Sequence, residues 1–124
     1  MAMLNNAINW FEIPVSDITR AANFYSKVLS ADLPVNEFGG AKMAFFPSDG
    51  DGVHGALVQG EGYVPSDKGT VVYLNGGDDL APVLARVKNA GGSIIRDKFS
   101  IGEHGFIAFF KDTEGNQVAL HSMH

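Results

Sequence analysis

The sequence predicts an α+β fold made of two tandem βαβββ modules. Two observations carry this expectation. Residues 105–122, GFIAFFKDTEGNQVALHS, read as two apolar runs around an acidic, Gly-containing turn, which is the pattern of a β-hairpin. Residues 41–59, AKMAFFPSDGDGVHGALVQ, spell the same pattern earlier: Ala44-Phe45-Phe46 returns as Ala108-Phe109-Phe110, and Ala56-Leu57 returns as Ala119-Leu120. A hairpin written twice in one chain points to two copies of a supersecondary unit. The 124 residues, 45% of them hydrophobic, suffice for one domain with a shared core. Module one is expected over 7–59, a linker over 60–69 and module two over 70–124.

Each element has a local reason. Asn9–Val15 alternates as a first strand, with Phe11, Ile13 and Val15 on one face and Trp10, Glu12 and Pro14 on the other. Pro14 closes that strand or places it at an edge. Asp17 is positioned to cap the free amides of a helix whose apolar stripe is Ile18, Ala21, Ala22, Tyr25, Val28 and Leu29, leaving Ser26 and Lys27 on the wet side. Strands are expected over 31–38, 41–46 and 53–59, with Gly39-Gly40 and PSDGDG as turns. The linker GEGYVPSDKG is rich in Gly, Pro, Ser and Asp. The pattern then restarts with a strand over 70–75. A helix follows with the stripe Leu80, Val83, Leu84 and Val87, Pro82 in its first turn and Gly91-Gly92 at its end. A strand over 93–98 and the closing hairpin complete the second module.

Composition narrows the function. A net charge of −5 with no basic stripe argues against nucleic-acid or anionic-membrane partners. The absence of cysteine removes disulfides and thiolate metal sites. No export signal or membrane-spanning run is read, so the expected location is the cytoplasm.

The stretch FEIPVSDITRAANFYSKVL, together with NAGGSII and the Asp-x-x-Gly-Asn pattern inside FFKDTEGNQVALHS, resembles the glyoxalase, bleomycin-resistance and extradiol dioxygenase superfamily, the vicinal oxygen chelate fold. That resemblance covers nearly the whole chain. It implies that each module is a curved mixed sheet, that the two form an open barrel around a cleft (a glyoxalase-like fold), a small-molecule partner and homodimers. It also implies a divalent metal held by His, Glu or Gln from the first and last strands of each module, a use of nitrogen and oxygen donors suited to that chemistry. Carried onto this chain, the ligand positions fall on Trp10, Ala56, Ala119 and Thr70, or Val71 if the fifth strand is shifted by one. None is a usual ligand, so no metal cofactor is expected there. Turnover of the methylglyoxal–glutathione hemithioacetal, the lactoylglutathione lyase reaction, is not expected either.

The remaining polar residues stand two positions from those sites and so keep the same strand face: Glu12, His54, Gln117 and His121. Glu12 and His121 are the candidate acid/base pair, or with His54 a displaced zinc or nickel site. The plainer reading makes them hydrogen-bonded groups in a wet groove, with Trp10, His54, Gln117 and Thr70 as ligand-binding residues and Trp10 as a stacking surface. His104 and His124 read as loop and terminal residues. Phe45, Phe46, Phe109 and Phe110 read as sheet interior. The acidic turns lack a calcium-loop ladder, and Asp78-Asp79 would repel a phosphate from Gly76-Gly77. Three functions follow: a metal-free small-molecule binding protein, a lyase or isomerase using Glu12 and His121, or a dimeric regulatory module with a vestigial pocket.

Overall fold

The computed structural model describes residues 6–124. The first half contains β1 (Trp10–Pro14), α1 (Ile18–Leu29), β2 (Val35–Phe38), β3 (Ala41–Phe45) and β4 (His54–Gln59). The second contains β5 (Tyr73–Asn75), α2 (Leu80–Asn89), β6 (Ser93–Ser100), a 3₁₀ turn at Gly102–His104, β7 (Phe106–Lys111) and β8 (Gln117–Ser122). Each half forms its own four-stranded mixed sheet, ordered β1-β4-β3-β2 and β5-β8-β7-β6. In both, the strand before the helix runs parallel to the last strand of the half, and the other neighbours are antiparallel. Two βαβββ units are therefore present, and β1 with its Pro14 lies at a sheet edge. No helix among the described residues is long and apolar enough to cross a membrane.

Helix termini follow the caps written in the sequence. Asp17 Oδ1 accepts from the Arg20 amide at 3.1 Å, and Gln59 Oε1 takes the Ile18 amide at 2.8 Å. Asp79 caps α2 by accepting from the Ala81 amide at 2.9 Å. The two C-termini close alike, with Ala31 N donating to Ser26 O and Gly92 N donating to Val87 O, the six-to-one bond of a Schellman turn. The left-handed residue differs: α2 uses Gly91 (φ 105), whereas α1 uses Ser30 (φ 51). Ser30 therefore carries a Cβ where glycine fits without strain.

One core joins the halves. Ile13, Val15 and Leu57 from the first sheet and Ala108, Phe110, Val118 and Leu120 from the second belong to the same buried cluster as the apolar stripes of both helices. Phe24 and Tyr25 of α1 pack on Phe110 at ring-centroid separations of 6.0 and 6.4 Å, and Tyr25 also meets Phe46 at 5.4 Å. Arg86 of α2 reaches across to donate to the Val28 carbonyl at 2.8 Å, satisfying an end group of α1. Both helices thus lie on one side of the sheets, and the opposite faces are left open.

Some boundaries differ from the sequence expectation. The second strand starts at Val35 rather than Ala31, because Pro34 cannot donate to a ladder. The fifth starts at Tyr73 rather than Thr70, and the connection between halves extends over 60–72. The sixth continues to Ser100, with register shifts that accommodate extra residues. Ser26 is half-buried and its hydroxyl accepts from the Leu33 amide at 3.3 Å, so it tethers the chain after the helix rather than facing solvent.

Ser30→Gly is expected to raise stability by about 0.5 kcal/mol by relieving the left-handed strain. Urea denaturation checks it, and a variant less stable than wild type would show that Ser30 is unstrained.

Candidate functional site

The open faces are set by strand alternation. In β1, Phe11 and Ile13 turn to the core, so Trp10 and Glu12 turn away from it. The parallel register pairs Trp10 with His54 and Glu12 with Ala56, and the antiparallel one sets Phe45 beside Ala56. On the second sheet, Tyr73 pairs with Ala119, Asn75 with His121, and Phe109 with Ala119. The repeat is therefore preserved residue by residue: an alanine in the last strand, flanked by a phenylalanine from the preceding strand, in both halves.

Those phenylalanines correct the sequence reading. Phe46 and Phe110 are buried as expected, but Phe45 and Phe109 are half-exposed on the open faces, since neighbours in a strand point opposite ways. Each belongs to an aromatic group. Trp10 and Phe38 meet Phe45 edge-on at 6.0 and 5.8 Å, while Tyr73 and Phe99 meet Phe109 at 5.9 and 6.4 Å. Trp10, Phe38 and Tyr73 are 42%, 52% and 50% exposed, which makes these faces apolar surfaces open to solvent.

Glu12 has the partner that a carboxylate on this strand requires. It accepts from the Tyr63 hydroxyl at 2.8 Å and from the Trp10 indole N–H at 3.3 Å. The bond to Glu12, and then its charge, hold the Tyr63 phenol above its ordinary pKa. Glu12, Thr70 and Gln117 share a hollow of about 260 Å³ at the junction of the halves, beside Lys68. His121 lies elsewhere, four residues beyond Gln117 and so about 13 Å further along β8. It lines a separate hollow of about 780 Å³. One chain therefore does not present Glu12 and His121 as a pair. His54 donates through Nε2 to the Gly50 carbonyl at 3.2 Å and lies across from Trp10. Among the described residues, no three His, Asp or Glu side chains are grouped as a metal site. Ala56 and Ala119 are fully buried beside their phenylalanines and, like Trp10, carry no lone-pair donor for an ion.

Residues 7–120 match the family described as the Glyoxalase/Bleomycin resistance protein/Dioxygenase superfamily. The chain belongs to this superfamily. A glyoxylase-like domain-containing protein of Didymella fabae is 34% identical over 127 residues, covering 95% of this chain and 94% of that protein. Among solved structures, a glyoxalase/bleomycin resistance protein/dioxygenase family enzyme from Burkholderia phytofirmans PsJN superposes with a TM-score of 0.69 at 14% identity, covering 94% of this chain and 98% of the other. An antibiotic binding protein from Streptomyces sp. CB03234 superposes at 0.65 with 22% identity, covering 99% and 100%. Proteins of this fold thus include one described as an enzyme and one described as an antibiotic binding protein, so the fold leaves the chemistry to the site.

Sequence reasoning missed what holds the junction. Glu114 accepts from the amides of Ser16 and Asp17 at 3.0 and 2.9 Å and from Arg20 Nε and Nη2 at 2.7 and 3.0 Å. Burial pushes the Glu114 carboxyl up, but hydrogen bonds from Arg20, Asp17, Thr113 and Ser16 together hold it below its usual value. The only signal was an acidic residue in the closing turn, which reads as a solvated hairpin tip.

A carboxyl whose folded pKa is depressed contributes stability that is fully present above its ordinary value of 4.5 and is lost as pH falls through the folded value. Glu114→Gln should therefore lower the urea midpoint at neutral pH and flatten its decline between about pH 5 and pH 3. An acid limb as steep as wild type would show that Glu114 is not among its causes.

Proposed function

We propose that this protein binds a small organic molecule in the trough formed by the open sheet faces, without a divalent ion at the superfamily's usual ligand positions. The support is chemical: Trp10 and Ala56 in the first half and Ala119 in the second, the residues that the family resemblance carries onto ligand positions, have side chains that cannot coordinate an ion. Phe45 and Phe109 stand beside the alanines, so apolar and aromatic surface replaces an ion. Glu12, Thr70 and Gln117 line a polar hollow next to Trp10, whose indole N–H donates to Glu12, and Tyr63 holds Glu12 in place. The enzymatic alternative, proton transfer by Glu12, would run without His121 from the same chain.

Trp10 is the only tryptophan and stands at one ligand position, so its emission reports on that site directly. Adding Zn²⁺ or Ni²⁺ is expected to leave both the emission and the melting temperature unchanged, with no turnover of the methylglyoxal–glutathione hemithioacetal. Saturable quenching at one equivalent of metal, with a raised melting temperature, would contradict the reading. Titration with the planar dye proflavine is expected to quench Trp10 saturably. Phe45→Ala should weaken that binding about tenfold by removing the neighbouring ring. An unaltered titration would place the dye elsewhere.

A further inference from the structure

The larger hollow belongs to the second half alone. In the first half, β2 has four residues and turns at Gly39-Gly40, whereas β6 has eight and is followed by the 3₁₀ turn at Gly102–His104. That extension folds back onto β8. The Ile101 amide donates to the Gly105 carbonyl at 2.8 Å, and Gly105, at φ 102, approaches the Ser122 backbone so closely that a Cβ would overlap it. The hollow beside Tyr73, Asn75, Ile101, Ile107 and His121 is open to solvent and has a volume of about 780 Å³, within the roughly 300–1,000 Å³ of small-molecule sites.

Two hydrogen bonds fix the polar pattern inside it. A carbonyl only accepts, so the 2.6 Å contact between His121 Nε2 and the His104 carbonyl puts a proton on Nε2. In the neutral ring Nδ1 is then an acceptor. Gly77 N donates to Asn75 Oδ1 at 2.9 Å, and a backbone N–H only donates, so the Asn75 oxygen is engaged and its NH₂ remains a donor. Asn75 and His121 are direct register partners on neighbouring parallel strands, about 4.8 Å apart. The hollow therefore presents a donor and an acceptor side by side, oriented by their own backbone contacts. Tyr73 shares the face of Asn75, and Ile101 and Ile107 add apolar walls.

Resting on the reading that the open faces bind a small molecule, we propose that this hollow, at one end of the second sheet's open face and away from the module junction, takes a planar heterocycle bearing an adjacent N–H and C=O, a lactam edge. The ligand N–H donates to His121 Nδ1, its carbonyl accepts from Asn75 Nδ2, and its ring lies against Tyr73 and the two isoleucines.

The probe is 2-quinolone, with N-methyl-2-quinolone as the comparison lacking the N–H, measured by isothermal titration calorimetry on the full chain. Saturable binding of 2-quinolone and about tenfold weaker binding of the N-methyl compound are expected. Asn75→Asp keeps an oxygen for the Gly77 amide but replaces the donor with a carboxylate, and should weaken 2-quinolone about tenfold at an unchanged melting temperature. His121→Phe should do the same by removing the acceptor. Equal affinity for the two quinolones, undiminished binding by a folded Asn75→Asp protein, or no saturable binding would overturn the proposal. None of these results bears on the proflavine titration, which reads the first sheet at Trp10.

Discussion

The two halves are held in one geometry by the buried carboxylate of Asp112. Its Oδ1 accepts from the amides of Glu114 and Asn116, both at 2.9 Å, and its Oδ2 accepts from the Tyr25 hydroxyl at 2.7 Å and from Asn116 Nδ2 at 3.1 Å. Asn116 passes the connection on, donating through Nδ2 to the Pro14 carbonyl at 2.7 Å and accepting from the Ser66 amide at 2.9 Å. The closing turn of the second half is thereby tied to α1, to the end of β1 and to the inter-module connection. Burying a carboxylate is costly unless its lone pairs are used, and here four donors use them. Burial, and then the Asp112 charge and hydrogen bond, push the Tyr25 phenol well above its usual pKa, so it remains a neutral donor. No buried side-chain polar atom among the described residues is left without a partner.

That tie decides where ligands can go. It sets the end of β1 beside the start of β8, which brings Glu12, Thr70 and Gln117 into one hollow although they come from three segments. The helices close the other side through the Phe24, Tyr25 and Phe110 contacts and the Arg86 bond to Val28, so only the outward faces remain for binding. On those faces the repeat keeps its frame and varies its contents. The alanine and phenylalanine positions match between halves, while His54 corresponds to Gln117, and the longer β6–β7 connection stands beside the hollow of the second half.

Features governed by local periodicity were legible in the sequence. The alternation of β1, the cap at Asp17, the glycine end of α2 and the duplicated hairpin each depend on residues a few positions apart. The need for a partner at Glu12 was legible too, but not its identity, because Tyr63 is 51 residues away in a segment that reads only as linker. Phe45 and Phe109 were misread because paired phenylalanines suggest core, although alternation exposes one of each pair. Thr70–Val72 has the composition of a strand, yet only Val72 makes a ladder-type bond, to the Ala119 amide at 2.9 Å. The Asp112 hub was visible as a motif and not as a mechanism, since nothing in the turn itself announces that Tyr25, Pro14 and Ser66 converge on it.

The most direct test of this dependence is the unfolding free energy of Asp112→Asn, measured in urea by Trp10 emission and by far-ultraviolet circular dichroism together. The substitution keeps the shape of the side chain but removes its charge and turns an NH₂ donor toward donors, so a loss of about 3 kcal/mol is expected, seen equally by both probes. A variant within about 0.5 kcal/mol of wild type would contradict the claim that this carboxylate holds the halves together.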